Sequence, residues 1–374
     1  MEKHIGQIFS ADNILDSIKD GIYVTDTNRK IVYWNKGAEK ITGWHKDDVV
    51  GLSCMDEILC HEDKEHRRLC GKDKCPLHRA ITTGQPSSSP IIVYAKSREQ
   101  GRIPMQVNVA PIQNHNGDII GGVEIFRDMS AIVNDLDRAR KIQRKSLKWN
   151  IAEGSPLKAS VHYLPHDIIG GDYYAVEQLS ESQYLFLLGD VMGHGVSSAL
   201  YTMYLRSLFD EYSNMLPDIA GFVNMLNQQL YQLIHDNFSF ASVLCGLIDT
   251  DKNSLTIVGG AHPSPLLYHK NHPVQQIKLS GFALGMVKKA NYTSQTFDFT
   301  PGDVLFLYTD GAIENFDENG NELGENGLIA ILETLGYPHK NFRHERIEEL
   351  ILKNTNNVAL KDDVTLLEFH LPLN

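Results

Sequence analysis

Tyr184-Leu-Phe-Leu-Leu-Gly-Asp190-Val-Met-Gly-His-Gly195 delivers a carboxylate from the end of an apolar strand into a glycine-rich turn. Tyr184 to Leu188 is an apolar run of strand length, too short for a globular helix. Gly193 and Gly195 follow Asp190, and Val196 to Tyr212 reads as a helix. Taken alone, this corner also suits an Asp190 that merely caps a turn, because glycine-rich turns are weak motifs. Three further sites in the second half of the chain repeat the arrangement. Asp172 follows Gly170-Gly171, Asp310 ends Val304-Leu-Phe-Leu-Tyr-Thr309 and precedes Gly311, and Asp362-Asp363 stand before Val364-Thr-Leu-Leu-Glu-Phe369. Acids tethered this way collect at one rim of a sheet, where like charges repel unless something neutralises them. Hard divalent cations do so through oxygen ligands, which favours Mg²⁺ or Mn²⁺. No His or Cys cluster accompanies these acids, which disfavours zinc at this rim.

The chain has 374 residues, a length that fits two or three domains. Hydrophobic residues make up 42% and charged ones 22%, enough apolar material for cores and no case for global disorder. A net charge of -12 argues against a nucleic-acid binder. No apolar run approaches the roughly 18 residues of a membrane span, and Met1-Glu-Lys-His-Ile5 does not open a signal peptide. The expectation is a cytoplasmic protein with neither membrane nor nucleic acid as partner. Five cysteines, an odd count, do not suggest a disulfide framework.

Within Ile14 to Arg127, Ile22-Tyr-Val-Thr25 and Ile31-Val-Tyr-Trp34 are strand-like runs around the turn Asp26-Thr-Asn-Arg29. Asn35 is placed to cap a helix that Gly43 would end. Ile91 to Ala95, Arg102 to Pro111 and Ile119 to Arg127 read as further strands, the last two joined by Asn116-Gly117-Asp118. Asp20-Gly-Ile-Tyr-Val-Thr-Asp26, Trp34-Asn35-Lys-Gly-Ala-Glu39, Thr42-Gly43-Trp44 and Gly121-Gly-Val-Glu-Ile-Phe-Arg-Asp128 resemble a PAS sensor domain. That resemblance implies a five-stranded antiparallel sheet with short helices and a signal-input role. Inside the unit, Cys54, Cys60, Cys70 and Cys75 are separated by five, nine and four residues. Thiolates in fours suit an iron–sulfur cluster or zinc, and His61, His66 or His78 would substitute for one sulfur. The tight Cys-x-x-Cys pairs of a strong metal motif are missing, and buried idle thiols are the alternative.

Ile132, Leu136, Ala139, Gln143 and Leu147 recur at helical spacing, and six basic residues without an acid lie between Arg138 and Lys148. The stripe reads either as a solvated linker helix or as a parallel coiled coil that makes a homodimer. From Ser160 onward the strand-like runs are Val161–Leu164, Tyr184–Gly189, Ala241–Asp249, Ser254–Val258, Leu266–His269, Val304–Thr309 and Val364–Leu371. Helices are expected over Ser197–Tyr212, Ile219–His235, Gly327–Leu335 and Glu345–Lys353. This order is not a regular strand–helix alternation, which disfavours a doubly wound parallel fold.

Gly170-Gly-Asp-Tyr-Tyr174, Gly189-Asp-Val-Met-Gly-His-Gly195, Gly260-Ala-His-Pro263, Leu307-Tyr-Thr-Asp-Gly-Ala-Ile-Glu314 and Lys361-Asp-Asp-Val-Thr365 resemble the PPM superfamily of metal-dependent protein phosphatases, in its bacterial SpoIIE/RsbU branch. The resemblance implies an α+β fold: residues 1–130 a PAS domain, 131–150 a linker helix, 151–374 an α-β-β-α sandwich with two Mn²⁺ or Mg²⁺ ions at one end. It assigns Asp190 to bridge both metals, with the Val191 carbonyl as a further ligand. Asp310 and Asp362 would complete the pair, Asp363 is the alternative to Asp362, and Asp172 would act mostly through water. The implied reaction is in-line attack of an activated water on phosphorus without a covalent enzyme intermediate. The implied substrate is a phosphorylated STAS-domain anti-anti-sigma factor in a partner-switching pathway. Two positions depart from the eukaryotic-type pattern. Met192 stands where a histidine would be, and His194 does not simply replace it; no N-terminal phosphate-binding arginine is evident. Before His262 the order is Gly260-Ala261 rather than the Asn-Ala-Gly often found there. The alternatives are a catalytically silent PPM-fold binding module and a phosphatase for small esters.

Overall fold

The computed structural model describes residues 10–55, 58–64, 66–71, 74–88, 92–99, 101–193, 195–213, 218–233, 239–270, 272–317, 319–338, 345–354 and 360–373. Two compact units divide the chain, Met1–Asp135 and Leu136–Asn374.

The first unit is an antiparallel sheet with short helices. Its strands are β1 (Gly21–Asp26), β2 (Ile31–Trp34), β3 (Ser87–Ser88), β4 (Val93–Ser97), β5 (Gly101–Gln113) and β6 (Ile119–Asp128), in the order β2-β1-β6-β5-β3 with β4 also on β5. That is one strand more than the PAS resemblance implies; β3 is two serines, too short to leave an apolar signature. The helices are α1 (Ala11–Ser17), α2 (Lys36–Thr42), α3 (Lys46–Val49) and α4 (Pro76–Thr83). Asn35 caps α2 through Oδ1, which accepts from Ala38 N–H, and Gly43 ends it at φ 75°. The same Oδ1 accepts from Ile22 N–H at 2.8 Å, so the cap also ties α2 to β1. The core packs Tyr23, Trp34 and Phe126 ring against ring, with centroids 5.7–6.3 Å apart.

Helix α5 (Ser130–Ser146) follows β6 in the chain, and the division falls inside it, so its last turns belong to the second unit. Those turns are packed. Gln143 is only 2% exposed, and Leu147 rests on the second unit's core. Gln143 and Leu147 are therefore removed from the seam that a coiled coil would use. Ile132 and Ile142 remain 51% and 57% exposed.

The second unit is the α-β-β-α sandwich. One sheet runs β15-β12-β11-β10-β9-β7 and the other β14-β13-β16-β17-β8. The strands are β7 (Lys148–Asn150), β8 (Lys158–Leu164), β9 (Asp172–Gln178), β10 (Gln183–Val191), β11 (Ala241–Asp249), β12 (Ser254–Gly260), β13 (Leu266–Tyr268), β14 (Gln275–Gln276), β15 (Gln295–Asp298), β16 (Val304–Tyr308) and β17 (Val364–His370). All pairings are antiparallel except β7 with β9. Helices α6 (Val196–Tyr212) and α7 (Ile219–Leu233) cover the first sheet; α8 (Gly324–Leu335) and α9 (Glu345–Asn354) cover the second.

Buried strand β10 explains the unbroken apolar run. Leu185 and Leu187 face the α6/α7 layer, while Tyr184, Phe186 and Leu188 face the other sheet. Both faces are dry, so alternation disappears. Phe186 meets Phe369 of β17 across the sandwich at 4.9 Å. Each such side chain contributes about 1.5–3 kcal/mol through burial. Strand β9 escaped prediction because Asp-Tyr-Tyr-Ala-Val-Glu-Gln mixes charge into a short run.

Candidate active site

The acids reach one end of the sandwich from both sheets. In the first sheet, Asp172 at the start of β9 lies directly opposite Asp190 near the end of β10. On its other side Asp190 pairs with Ser242 of β11. The second sheet supplies Asp310, just past β16, and Asp362 and Asp363, just before β17. Glycines make this approach feasible. A Cβ on Gly311 would overlap the Asp363 carbonyl, and one on Gly171 would sit 2.9 Å from the Val191 carbonyl oxygen.

Asp172 is fully buried. Its Oδ2 accepts from Thr309 Oγ1 at 2.9 Å and Thr365 Oγ1 at 2.6 Å. Its Oδ1 has no hydrogen-bond partner among the described residues, and the same holds for the buried Asp310 Oδ1. Asp363 is spent differently. Oδ1 accepts from His166 N–H at 2.6 Å, while Oδ2 accepts from the N–H groups of Gly171 and, at 3.3 Å, Asp172. Asp363 thus folds the turn that presents Asp172, and Asp362 is the less committed of the neighbouring pair, its Oδ1 accepting from Asp363 N–H at 2.8 Å. Val191 N–H donates to the Gly171 carbonyl at 3.1 Å, which locks that turn to the end of β10.

The electrostatics follow from this crowding. Burial, then the charges of Asp310, Asp362 and Asp363, push the Asp190 carboxyl up to about 8. Burial, then Asp362 and Glu314, push Asp310 up to about 6. Burial and the charges of Asp190 and Asp363 raise Asp172 well above the carboxylate range. Two orphaned buried oxygens among mutually repelling carboxylates fit hard divalent cations. Among the described residues no three His, Cys, Asp or Glu side chains are already drawn together tightly enough to hold a metal ion.

A family model described as Stage II sporulation protein E (SpoIIE) matches residues 180–372, more than half of the chain. The chain belongs to the SpoIIE family. Residues 11–129 match a model described as PAS fold, so the SpoIIE-family unit follows a PAS unit. Phosphoserine phosphatase RsbP of Bacillus subtilis (strain 168) is 27% identical over 183 residues, 48% of this chain and 45% of that protein. Phosphoserine phosphatase RsbU of the same organism is 22% identical over 193 residues, 50% of this chain and 56% of that protein. The chain spans about half the length of the curated relatives it matches. The solved SiaA-PP2C domain of Pseudomonas aeruginosa superposes with a TM-score of 0.56 at 23% identity, covering 65% of this chain and 98% of that domain, a likeness of fold.

Several residues of this SpoIIE-family site carry no role in the sequence reading. Thr309 and Thr365 hold Asp172, and both stand beside the acids in the quoted motifs, which was the available signal. Half-buried His262 binds Ser242 at 2.7 Å between Nδ1 and Oγ, behind the strand carrying Asp190; desolvation pushes it down to about 3 and keeps it neutral. Met192 is 48% exposed at the rim and offers no proton. His194 lies outside the described residues. Arg144, on the last turn of α5, is the cation whose field reaches Tyr163 beside Asp363.

The four cysteines of the PAS unit separate. Cys54 and Cys75 are buried in its core, and Cys70 Sγ accepts from His61 N–H at 3.1 Å. Cys60 lines an outer cleft with Met55, Glu62, His66, Tyr94 and Arg102. His66 faces that cleft too, and there it meets Arg102 at 2.9 Å.

Proposed function

We propose that this SpoIIE-family chain is a metal-dependent protein serine/threonine phosphatase under the control of its PAS unit. The single observation that carries this reading is that Asp172 and Asp310, brought to one end of the sandwich from its two sheets, each keep a buried Oδ1 without a hydrogen-bond partner among the described residues. Asp190, Asp310, Asp362, the Val191 carbonyl and, less directly, Asp172 would hold two Mn²⁺ or Mg²⁺ ions, with Asp363 in support. Bound there, the cations would neutralise the acids, polarise the phosphoryl group and activate water. The protein's own part is positional. Thr309 and Thr365 orient Asp172, Asp363 sets its turn, and the β9–β10 pairing fixes Asp190 against it.

The substrate we propose is phosphoserine or phosphothreonine on a STAS-domain anti-anti-sigma factor. Its support is the likeness to two proteins named phosphoserine phosphatases and the motif resemblance described above. A homodimer through α5 is part of the proposal, now resting on Ile132, Leu136 and Ala139 rather than on Gln143 and Leu147. No helix among the described residues is long and apolar enough to cross a membrane, and five free cysteines suit a cytoplasmic, reducing setting.

Phosphate release should be followed from a phosphoseryl STAS protein and from a small chromogenic ester, each with and without Mn²⁺. Mn²⁺-dependent release from the protein substrate at a far higher kcat/KM supports the proposal. Comparable rates on both substrates would make the chain a small-ester phosphatase, and no release from either would make it a silent binding module.

A further inference from the structure

The end of the sandwich that carries the acids is also where exposed apolar side chains collect. Backbone hydrogen bonds place them. Val191 N–H donates to the Gly171 carbonyl, Val191 pairs with Ala241, and Ala241 and Leu284 exchange N–H···O bonds of 2.8 and 3.1 Å. The row therefore runs Gly171, Val191, Ala241, Leu284, and Leu284 stands two strand spacings, about 10 Å, from the residue after Asp190. Leu284 itself is buried, but Phe282 and Met286 on either side of it are 54% and 55% exposed. Met192, whose N–H donates to the Phe240 carbonyl, continues the rim, and Val196 and Leu200 open to solvent one turn apart at the start of α6. That first turn is held at the rim as well, since a Cβ on Gly171 would sit 3.2 Å from Ser198 Cβ. On the side of the second sheet Phe316 is exposed, its ring centre 4.5 Å from Nζ of Lys361, the residue before Asp362.

We propose that this collar is the docking surface for the phosphorylated protein substrate, an inference that rests on the phosphatase reading above. Exposed apolar side chains gathered in one place mark interaction sites, and aromatic and methionine side chains are favoured at the centres of such contacts. Position commits the occupant. A protein that brings a phosphoseryl group to Asp190 must cover residues one and two strands away, whereas a small ester reaches the acids without touching them. Charge agrees with this. Exposed Lys288 and Lys289 follow Met286, and exposed Lys361 stands at Phe316. The collar is thus apolar and basic, which suits a partner that is negative at its phosphoserine. A second copy fits badly, because a twofold contact here would set rim carboxylates against rim carboxylates and lysines against lysines.

The test uses the full chain with Mn²⁺ and two substrates, a phosphoseryl STAS protein and p-nitrophenyl phosphate. Phe282→Ser/Met286→Ser should lower kcat/KM on the protein by about 10–100-fold, through KM, as loss of two interface anchors does. Turnover of the ester should stay unchanged. Leu200→Ser, a single change on an exposed helix face, should give the same split at about fivefold and stands in if the double variant fails to fold. Lys288→Gln/Lys289→Gln should weaken the protein reaction at low salt only. Calorimetric binding of the phosphoseryl protein should weaken in the same variants by the same factors. Equal loss on both substrates would overturn the assignment, because the residues would then serve the catalytic centre. Unchanged protein kinetics in every variant would overturn it too, as would a wild-type dimer that Phe282→Ser/Met286→Ser dissociates, which gives the face to a second copy. A wild-type chain that releases phosphate from neither substrate would sink the phosphatase reading by itself. Calorimetry still decides the surface in that case, and absent or undiminished binding overturns it.

Discussion

Gln143 grips the backbone of Gly170 with both ends of its amide: Nε2 donates to the carbonyl at 2.7 Å and Oε1 accepts from the N–H at 3.4 Å. Nε2 also donates to Thr202 Oγ1 of α6 at 3.1 Å. The linker helix is thus fastened two residues before Asp172.

Replacing Gln143 with Leu should cost about 1–3 kcal/mol, since buried groups of Gly170 and Thr202 lose their partner. Because the same contact steadies the Gly170–Asp172 turn, Mn²⁺ affinity should fall as well. Urea denaturation and Mn²⁺ titration check the two effects separately. Lost stability with unaltered Mn²⁺ binding would show that the contact holds the helix alone.

Neighbouring Asp362 and Asp363 should respond differently to loss of charge. Asp363→Asn leaves a single acceptor oxygen for the N–H groups of His166, Gly171 and Asp172, and should destabilise the fold by about 1.5–3 kcal/mol. Asp362→Asn should not lower the melting temperature, since it removes a charge that repels Asp190 and Asp310, while activity falls by more than about 100-fold, beyond the loss expected for a supporting residue. Equal destabilisation by both substitutions would contradict this division of labour.

Metal-free protein should be more stable at pH 5 than at pH 8. Asp190 and Asp310 hold protons more tightly in the folded state, with Asp190 pushed up to about 8 and Asp310 to about 6. Between about pH 4, the ordinary carboxylate value, and pH 8 the native state therefore binds more protons than the unfolded chain. Stability then declines as pH rises through that interval. Thermal denaturation in chelator measures the slope, and Asp190→Asn should flatten it. Stability that rises with pH in the wild type would disprove the account.

Asp190→Asn and Asp310→Asn should each abolish Mn²⁺-dependent phosphate release and raise the melting temperature of the metal-free protein at pH 8. The substitution removes one charge from a crowded rim, so folding gains where chemistry is lost. Near-native turnover in either variant, measured on a phosphoseryl protein, would exclude the proposed role.

Much of this was legible because each acid was tied to an unmistakable local feature. Tyr184–Leu188 could only be a buried strand, and Asp190 had to emerge at its end. Asn35 and Gly43 bracketed α2 for the same reason, since cap chemistry is local. What stayed hidden depends on contacts distant in sequence. Asp362 and Asp363 differ only through His166, Gly171 and Asp172, nearly 200 residues away. Gln143 read as one position of a helical stripe, solvated or in a dimer seam, because its spacing was taken without Gly170 and Thr202, its actual partners. Glu124 was concealed inside a PAS motif; its inward direction becomes clear only once Phe126 sets the face.

Asp172 and Asp190 ride on one sheet, Asp310 and Asp362 on the other, joined across the Phe186–Phe369 core. On the proposed two-metal reading, turnover would gauge the gap between the sheets. A swollen state that kept every strand intact but let the layers part would separate the two pairs of acids. Such a state would lose catalysis while its far-ultraviolet circular dichroism stayed native. Anything that clamps the layers, a cation at the rim included, would act as a fastener for the whole sandwich.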